Sequence, residues 1–274
     1  MDKFGAILIT NNLYLRDKKA LAYFEGEATP EFWDRHWDYE GLREYILSCA
    51  SDGIFIPFVK KHLPLGSKVL EGGCGRGQIV HALSYHGYKA VGIDFAVKTV
   101  HAVNRAVPEL DIRIGDVRRL PFEDGELDGY ISSGVIEHFW NGYEEILSEM
   151  ARTIRKKGYL FISFPFMSLL RKVKNVLGMY PEAESSKLAK LENQFYQFAF
   201  ESSGVIRDLE EVGFKLISKR GIGGLKGLKD ETKLFSSLLQ RIYNGEFSSK
   251  LCTFFQLSLR PFSAHMLGLV MKRS

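Results

Sequence analysis

The chain has 274 residues, of which 45% are hydrophobic and 26% charged, and its net charge is +4. This composition is typical of a soluble globular protein and excludes disorder over most of the length. No apolar run approaches the roughly 18 to 20 residues of a spanning helix, and the start lacks the pattern of a signal peptide. Cys49, Cys74 and Cys252 lack CxxC spacing, which predicts reduced thiols in a cytoplasmic setting and no metal site.

Charge is unevenly distributed along the chain. Residues 1–164 carry a net charge of −3, whereas residues 165–274 carry +7 and many aromatic side chains. Two interpretations stay open for the basic part. It is either a solvated basic face over an ordinary core, or a surface that meets an anionic substrate or a membrane.

The first 56 residues are aromatic-rich and predict a helical N-terminal cap, followed by one large domain over residues 57–274. Trp33 and Trp37 are four residues apart and therefore share a helix face. We expect them either to pack on the domain or to close over its ligand.

The middle of the chain alternates short apolar runs with amphipathic stretches of helical length. This is the βαβ pattern of a parallel sheet covered by helices on both faces, and it predicts a doubly wound α/β fold. Strands are predicted over residues 67–73, 89–94, 110–116, 127–134 and 159–165, and helices over 78–87, 97–107 and 143–158.

The pattern changes after Pro165. Residues 166–180 predict an amphipathic helix, which either packs on the core of its own domain or acts as a lid or interfacial helix. Residues 181–194 read as a polar linker or the start of another helix. Residues 200–222 predict a helix that leads through Gly213 into a strand, 223–231 a glycine-rich loop, 232–244 a helix and 264–273 a last strand.

The stretch VLEGGCGRGQIV, residues 69–80, places a glycine-rich loop between the first strand and the first helix of this pattern. Gly73, Gly75 and Gly77 are spaced as GxGxG, so the third glycine of the dinucleotide fingerprint is replaced by Gln78. The Lys-Ser/Thr ending of a Walker loop is also absent. Glu71 at the end of the strand would repel a pyrophosphate and would suit an ammonium group.

Acidic residues also follow the next two strands. Asp94 ends the second strand and Asp116 follows the third. Alone, Asp94 has an ordinary explanation as a helix cap and Asp116 as a turn residue. Together with Glu71 they indicate a nucleoside with a cationic or zwitterionic tail. S-adenosylmethionine is such a molecule.

These motifs resemble those of the class I S-adenosylmethionine-dependent methyltransferases, and most closely the small-molecule branch that includes ubiquinone and menaquinone methyltransferases. The resemblance implies a Rossmann-like seven-stranded sheet, mostly parallel, with one antiparallel strand near the C-terminus. It also implies insertions at about residues 166–200 and 221–262 that form a substrate lid. The matching segments are residues 70–77, 91–94, 115–139, 154–165 and 195–214.

By position, the resemblance implies a set of contacts for S-adenosylmethionine, which becomes S-adenosylhomocysteine in the reaction. The methionine part would lie among Glu71, Gly73 and Gly75, in the same loop as Gly72 and Cys74. The remaining contacts would be Asp94 for the ribose, Phe95 for the adenine face, Asp116 and Val117 for the adenine edge, Ser133 and Gly134 for the sulfonium side, and Arg35 and Trp37 from the N-terminal helix.

His138 follows the fourth strand, in the run SSGVIEHFW, beside the expected position of the methyl group. It is the candidate catalytic residue, because a neutral imidazole can accept a proton from the acceptor. Two alternatives stay open. In the first, His138 caps or packs the helix that follows, and Glu137 only orients it. In the second, the reaction needs no base, because proximity and desolvation of a reactive nucleophile are sufficient.

The expected reaction is methyl transfer to an oxygen, nitrogen or carbon nucleophile of a small molecule, which is either lipid-like or acidic. A Glu-His-Phe run is similar to one in cyclopropane fatty-acid synthases, which keeps a lipid-like acceptor open. The alternative is an inactive methyltransferase-like subunit that binds a nucleoside for regulation or assembly. We expect a monomer or homodimer that has no nucleic-acid partner. Peripheral contact with a membrane through the basic amphipathic lid stays open as an alternative.

Overall fold

A computed structural model describes residues 12–232, 236–244, 246 and 248–274 of the chain. Its residues form two compact units. The large-sheet unit contains residues 28–163, 206–218 and 269–274, and the small-sheet unit contains the described residues of 12–27, 164–205 and 219–268. Residues 1–11 of the expected cap and 233–235 of an expected helix lie outside the described residues.

The strands and helices are numbered here in chain order. The strands are β1 (Asn12–Leu15), β2 (Ala20–Phe24), β3 (Lys68–Gly72), β4 (Lys89–Asp94), β5 (Ile112–Ile114), β6 (Leu127–Ser133), β7 (Ile154–Pro165), β8 (Glu182–Ala183), β9 (Phe195–Phe200), β10 (Phe214–Ile222) and β11 (Met266–Arg273). The helices are α1 (Pro30–His36), α2 (Leu42–Ser48), α3 (Ile56–His62), α4 (Gln78–Tyr85), α5 (Val97–Ala106), α6 (Glu144–Thr153), α7 (Leu169–Val176), α8 (Ser202–Glu211), α9 (Gly224–Glu231), α10 (Ser236–Tyr243), α11 (Ser249–Ser258) and α12 (Arg260–Ser263). A three-residue 3-10 turn covers Ile136–His138, and a longer 3-10 segment covers Ser185–Gln194.

The larger sheet has seven strands in the order β10-β11-β7-β6-β3-β4-β5. It is mostly parallel with one antiparallel strand near the C-terminus, which confirms the predicted fold class. Within this sheet the first strand in sequence is β3. The chain then adds β4 and β5 on one side of β3 and returns to place β6 on the other side. This reversal of direction opens a cleft at the carboxyl ends of β3 and its neighbours, where ligands bind in open α/β sheets.

Apolar residues on both faces of β3 explain its central position. Val69 and Leu70 are both fully buried, as expected for a strand that helices cover on both sides. Helix α4 packs against β3 and β4, and its Val80 and Leu83 belong to the same core cluster as Val69. The periodicity of 3.6 residues in α4 and the continuous apolar run of β3 therefore meet in one core.

The helix predicted over residues 143–158 is shorter than expected. It ends at Thr153, and Ile154 begins β7 instead. Ile154 is buried and pairs with Leu127 of β6. Two consecutive β-branched residues, Thr153 and Ile154, favour the extended conformation once a neighbouring strand is available.

The prediction of a helical cap over residues 1–56 is wrong for the first described residues. Strands β1 and β2 form an antiparallel hairpin, and β2 pairs with β9 in a four-stranded sheet of order β8-β1-β2-β9. Leu13 and Leu15 are buried while Asn12 and Tyr14 are half-buried, which is the period of two of a strand. The pairing with β9 groups residues 12–27 with residues after 164, so the compact units do not follow the expected boundary at residue 56. The helices expected in this region are α1, α2 and α3.

The glycine-rich segment 223–231 was expected to be a loop, and this expectation is also wrong. It forms α9, because the glycines allow close packing of helices rather than turns. A Cβ atom on Gly227 would lie 1.7 Å from the carbonyl oxygen of Ser263, and one on Gly224 would lie 2.6 Å from the backbone nitrogen of Arg260. Both partners belong to α12.

Among the residues that the structure describes, no helix combines the length and the apolar character that crossing a membrane requires.

Candidate functional site

The glycine loop between β3 and α4 needs backbone conformations that side chains disfavour. Gly73, Gly75 and Gly77 have φ angles of 74°, 49° and 73°, in the left-handed region. A Cβ on Gly73 would lie 2.5 Å from Cγ2 of Val135, and one on Gly75 would lie 3.4 Å from Cζ2 of Trp37. The loop therefore lies close against its neighbours and exposes backbone to the cleft.

Hydrogen bonds fasten this loop to the end of β4. The N–H groups of Gly73 and Cys74 both donate to the carbonyl oxygen of Ile93, at 2.8 and 3.0 Å. Asp94 Oδ2 accepts from the Gly75 N–H at 2.7 Å, and its Oδ1 accepts from the Ala96 N–H at 2.9 Å. The helix-cap alternative for Asp94 thus accounts for at most one oxygen, the one that accepts from Ala96 before α5. Burial raises the pKa of Asp94, and the hydrogen bonds from Ala96 and Gly75 oppose this effect.

Glu71 is buried at the tip of β3, and its Oε2 has no hydrogen-bond partner within the described part of the chain. Burial raises its pKa well above the ordinary value, and the charges of Asp52 and Asp94 raise it further. A hydrogen bond with the Val80 backbone has the opposite effect. An unpaired buried carboxylate is costly, so a cation in this cleft would be favourable.

Asp116 follows β5 and is paired with its neighbour Arg118. The guanidinium donates from Nη2 to Oδ2 at 2.6 Å and from Nε to both oxygens at 3.1 Å. Partial burial raises the pKa of Asp116, but the hydrogen bonds and charge of Arg118 outweigh it and the net pKa is lowered. Asp116 is therefore an ionised acceptor at neutral pH.

These residues line one pocket of the large-sheet unit. Of the sequence-predicted residues, the following twelve lie in its wall: Trp37, Glu71, Gly73, Cys74, Gly75, Asp94, Phe95, Asp116, Val117, Ser133, Gly134 and His138. Gly72 and Arg35 do not. A Cβ on Gly72 would lie 2.0 Å from the hydroxyl oxygen of Tyr130, so this glycine makes room for a core tyrosine.

Sequence reasoning missed seven residues of the pocket wall: Ala28, Gln78, Ile79, Gly115, Arg118, Val135 and Phe139. The last six lie within or next to the predicted motifs, so their proximity in sequence is a usable signal. Trp33, for which closing over the ligand is one of the two predicted alternatives, also lines the pocket. Ala28 precedes β3 by more than thirty residues, and only the tertiary structure brings it to the pocket.

Helix α1 supplies an aromatic wall. It begins at Pro30 after Thr29, whose Oγ1 accepts from the Phe32 N–H at 3.2 Å, a standard N-cap. The predicted shared face of Trp33 and Trp37 is present, because the two rings are stacked with centroids 5.9 Å apart. Both residues line the pocket. The guanidinium carbon of Arg76 lies 4.9 Å from the Trp37 ring, a cation–π contact.

His138 and Glu137 lie side by side in the 3-10 turn after β6 and have different environments. The His138 ring meets Trp33 edge-on, with centroids 5.0 Å apart, and lines the pocket. Glu137 is buried and is not part of the pocket wall. Burial raises the pKa of Glu137 to about 8, so this carboxyl is mostly protonated below that pH.

Comparisons with known proteins give a consistent result. Residues 70–162 match the family profile described as "Methyltransferase domain". The chain is 34% identical over 104 residues to a protein of Mycolicibacterium smegmatis named "Probable S-adenosylmethionine-dependent methyltransferase", a match that covers 38% of this chain and 40% of that protein. It is 26% identical over 140 residues to the ubiquinone biosynthesis O-methyltransferase of Chromobacterium violaceum, which covers 48% and 57% of the two chains.

The fold is also shared with solved structures. A TehB-like S-adenosylmethionine-dependent methyltransferase of Corynebacterium glutamicum has a TM-score of 0.52 at 17% identity, over 90% of this chain and all of that chain. At this identity the likeness concerns the fold alone. The chain spans about half the length of the two sequence relatives described above.

Proposed function

Because the chain belongs, through residues 70–162, to the class I S-adenosylmethionine-dependent methyltransferases of the small-molecule type, we propose that it is a methyltransferase. It transfers a methyl group from S-adenosylmethionine to an oxygen, nitrogen or carbon nucleophile of a small molecule. The observation that carries this proposal is Glu71. A buried carboxylate oxygen without a partner, in the wall of a pocket, fits the ammonium group of an amino-acid tail and conflicts with a phosphate.

The other residues of the pocket fit the remaining parts of this cofactor. Asp94 would hold the ribose hydroxyls with the lone pairs that Gly75 and Ala96 leave free. The ionised Asp116 would accept from the adenine amino group, beside Val117 and with Phe95 against the ring face. Ser133 and Gly134, at the end of β6, would border the sulfonium side.

When bound, S-adenosylmethionine supplies a methyl group on a positively charged sulfur that leaves as a neutral thioether. His138 would accept the proton of the acceptor hydroxyl or amine as that group reacts. Trp33, packed edge-on against the imidazole, restricts the positions of the ring. The aromatic side chains Trp33, Trp37 and Phe139 in the pocket wall would exclude water and align the acceptor.

The acceptor is proposed to have a hydrophobic body and to be lipid-like or acidic. The apolar side chains of Trp33, Val135 and Phe139 in the wall support the hydrophobic body. The net charge of +7 in residues 165–274 supports an acidic group. We further propose that the protein acts as a monomer or homodimer on a small molecule and not on nucleic acid.

Calorimetric titration with S-adenosylhomocysteine tests the cofactor assignment. The wild-type protein should bind, and Asp94→Ala should weaken binding by about 10- to 100-fold, because hydrogen bonds to a charged group contribute about 1.5–3 kcal/mol. Asp124→Ala is the matched control, since this aspartate is on the surface and outside the pocket, and it should bind as the wild type does. Absence of binding by the folded wild-type protein would contradict the proposal.

Turnover separates an enzyme from an inactive binding subunit. Radiolabelled S-adenosylmethionine incubated with fractionated cell extract should give a labelled product, identified by mass spectrometry. His138→Ala should bind S-adenosylhomocysteine as the wild type does and should lose about 100- to 10,000-fold in rate, the usual contribution of a general base. If the wild-type protein binds the cofactor but gives no labelled product, the regulatory subunit is favoured. If the His138→Ala variant reacts at the wild-type rate, His138 is not a general base, and catalysis rests on proximity and desolvation.

A further inference from the structure

Helix α7, in the small-sheet unit, exposes three of its four apolar side chains and buries an arginine. Leu169, Val173 and Val176 are exposed, Val176 at 86%, whereas Arg171 on the same helix is only 2% exposed. The intervals of four and three residues place the three apolar side chains on one face. The exposed face continues into the following turn, where Leu177 is 69% exposed and Met179 is 58% exposed. Helices of soluble proteins normally bury the apolar face and expose the charges.

A buried ion-pair cluster fixes this orientation. Arg171 donates from Nε to Glu231 Oε1 at 2.8 Å and from Nη1 to the carbonyl oxygen of Phe166 at 2.8 Å. Lys174 Nζ and the Tyr180 hydroxyl donate to Glu231 Oε2 at 2.5 and 2.6 Å. Turning the apolar face inward would leave the Glu231 carboxylate buried without its cations, which is strongly unfavourable. The outward apolar face is therefore an enforced feature of the fold.

Between residues 219 and 268 of the same unit, basic residues outnumber acidic ones, and several cations have no acidic partner among the described residues. The acids between residues 219 and 268 each have a basic partner: Asp230 pairs with Lys226 and Lys229, Glu231 with Arg171 and Lys174, and Glu246 with Arg241. In contrast, the ion pairs of the described residues include no acidic partner for Lys219, Arg220, Lys250 or Arg260.

Arg260 is the most informative of these cations. It begins α12, which packs against α7, and its Nε is buried without a hydrogen-bond partner among the described residues. Burial and the charge of Arg220 lower the pKa of Arg260. An anion beside α12 would relieve both effects.

We propose that α7 and residues 177–179 dock on an anionic membrane surface. The apolar side chains enter the boundary between headgroups and acyl chains, and Arg260 of the adjoining α12, together with the neighbouring Arg220, meets lipid phosphates. An eight-residue helix is only about 12 Å long and therefore lies in the interface rather than crossing it. A second copy of the chain is a poorer partner, because self-association through this surface would bring its unpaired cations together.

Cosedimentation of the full chain with sucrose-loaded vesicles tests this surface. The wild-type protein should bind vesicles of phosphatidylcholine and phosphatidylglycerol, bind vesicles of phosphatidylcholine alone more weakly, and lose affinity in high salt. The Val176→Glu/Leu177→Glu variant should have a partition coefficient at least about tenfold lower, because two charges replace the inserting side chains. The matched control is Leu65→Glu/Tyr85→Glu, which changes side chains of similar exposure, 73% and 67%, in the large-sheet unit, and it should bind like the wild type.

Three outcomes would overturn the proposal. The first is a wild-type protein that does not bind anionic vesicles, and the second is an α7 variant that binds as well as the wild type. The third is a wild-type dimer, measured by light scattering, that becomes a monomer in the α7 variant without any vesicle binding, since this would identify a second copy as the occupant. Thermal unfolding of each variant verifies that it is folded. S-adenosylhomocysteine binding by the α7 variant should be unchanged, so a failure here is distinguishable from a failure of the proposed function.

Discussion

Glu71 is the residue at which local stability and the proposed function conflict most clearly. Its carboxyl is buried with one oxygen unpaired, an arrangement that a purely structural position would avoid. Unfavourable groups of this kind are concentrated at functional sites, where a ligand completes them. The unpaired oxygen of Glu71 therefore both lowers the stability of the free protein and favours the binding of a cationic ligand.

Glu71→Gln should therefore stabilise the free protein at neutral pH by on the order of 1 kcal/mol, since a neutral group replaces one that resists ionisation. Burial raises the pKa of Glu71, so the folded state binds this proton more tightly than the unfolded state. The resulting stability is present below the ordinary pKa of glutamate and is lost as the pH rises through the raised pKa. The variant should lack this loss, as measured by thermal unfolding across pH.

The same variant should bind S-adenosylhomocysteine at least about tenfold more weakly, because the charged partner of the ammonium group is gone. Glu211→Gln is the control, since this glutamate is highly exposed and paired only at 3.6 Å with Arg207. It should change neither stability nor binding. If the Glu71→Gln protein bound with wild-type affinity, the Glu71 carboxylate would not be a contact of the ligand.

At the scale of elements, the strand-loop-helix unit from β3 to α4 holds the pocket through its backbone. The N–H groups of Gly73 and Cys74 bond to Ile93, and that of Gly75 bonds to Asp94. The loop therefore connects two neighbouring strand ends. Val135, two residues after β6, lies close to Gly73, since a Cβ at Gly73 would come within 2.5 Å of its Cγ2.

Gly73→Ala should abolish ligand binding and destabilise the protein by about 1–2 kcal/mol, because φ is +74° at this position and alanine is strained there. The new Cβ would also lie 2.5 Å from Val135 Cγ2. Calorimetric titration and thermal unfolding measure the two effects. Adding Val135→Ala should remove the contact but not the backbone strain, so recovery should be partial.

Gly53→Ala is the control for this substitution. A Cβ at Gly53 would meet no atom within 4 Å, and the residue has no positive φ. The variant should bind and unfold like the wild type. Full recovery of binding in the Gly73→Ala/Val135→Ala protein would show that the steric contact, and not the conformation, is what requires glycine.

At the scale of the whole molecule, the Glu231 cluster connects parts of the small-sheet unit that are far apart in the chain. The carboxylate of Glu231 in α9 accepts from Arg171 and Lys174 of α7, from Tyr180, and from Tyr23 of β2 at 3.4 Å. Arg171 in turn donates to the carbonyl oxygen of His265 at 3.2 Å. One carboxylate thus organises segments separated by up to 208 positions.

Glu231→Ala should destabilise the protein by about 3–5 kcal/mol, because it leaves the buried Arg171 without its counter-charge. Glu231→Gln keeps a hydrogen-bond acceptor and should have an intermediate effect. Burial raises the pKa of Glu231, but the charge of Arg171 outweighs it and the net pKa is lowered. The stability from this group is therefore present above the ordinary pKa of glutamate and is lost as the pH falls through the lowered value. Calorimetric unfolding across acid pH measures both effects.

Glu246→Ala provides the comparison, since Glu246 is about half exposed and pairs with Arg241 on the surface. It should cost less than about 1 kcal/mol. If Glu231→Ala were equally mild, the cluster would not be what fixes α7, and the enforced orientation of its apolar face would lose its physical basis.

Local patterns in the sequence predict the parallel strands around the glycine loop and the three acidic residues at their ends, whereas the remaining pocket residues were implied by the resemblance to methyltransferases. Continuous apolar runs, helical periodicity and glycine spacing are local properties, and the carboxyl ends of parallel strands must meet at one edge. Glu71, Asp94, Asp116 and His138 therefore converge as the order of the elements requires.

The tertiary structure decided which surface each remaining element meets. The period of a segment shows which of its faces can be buried, but not which distant segment covers that face. For this reason local patterns did not predict the pairing of β2 with β9, the close packing of α9 on α12 or the position of Ala28 in the pocket wall. Helix α7 is the clearest case, because a single carboxylate 60 residues away, Glu231, turns its arginine inward and its apolar face outward.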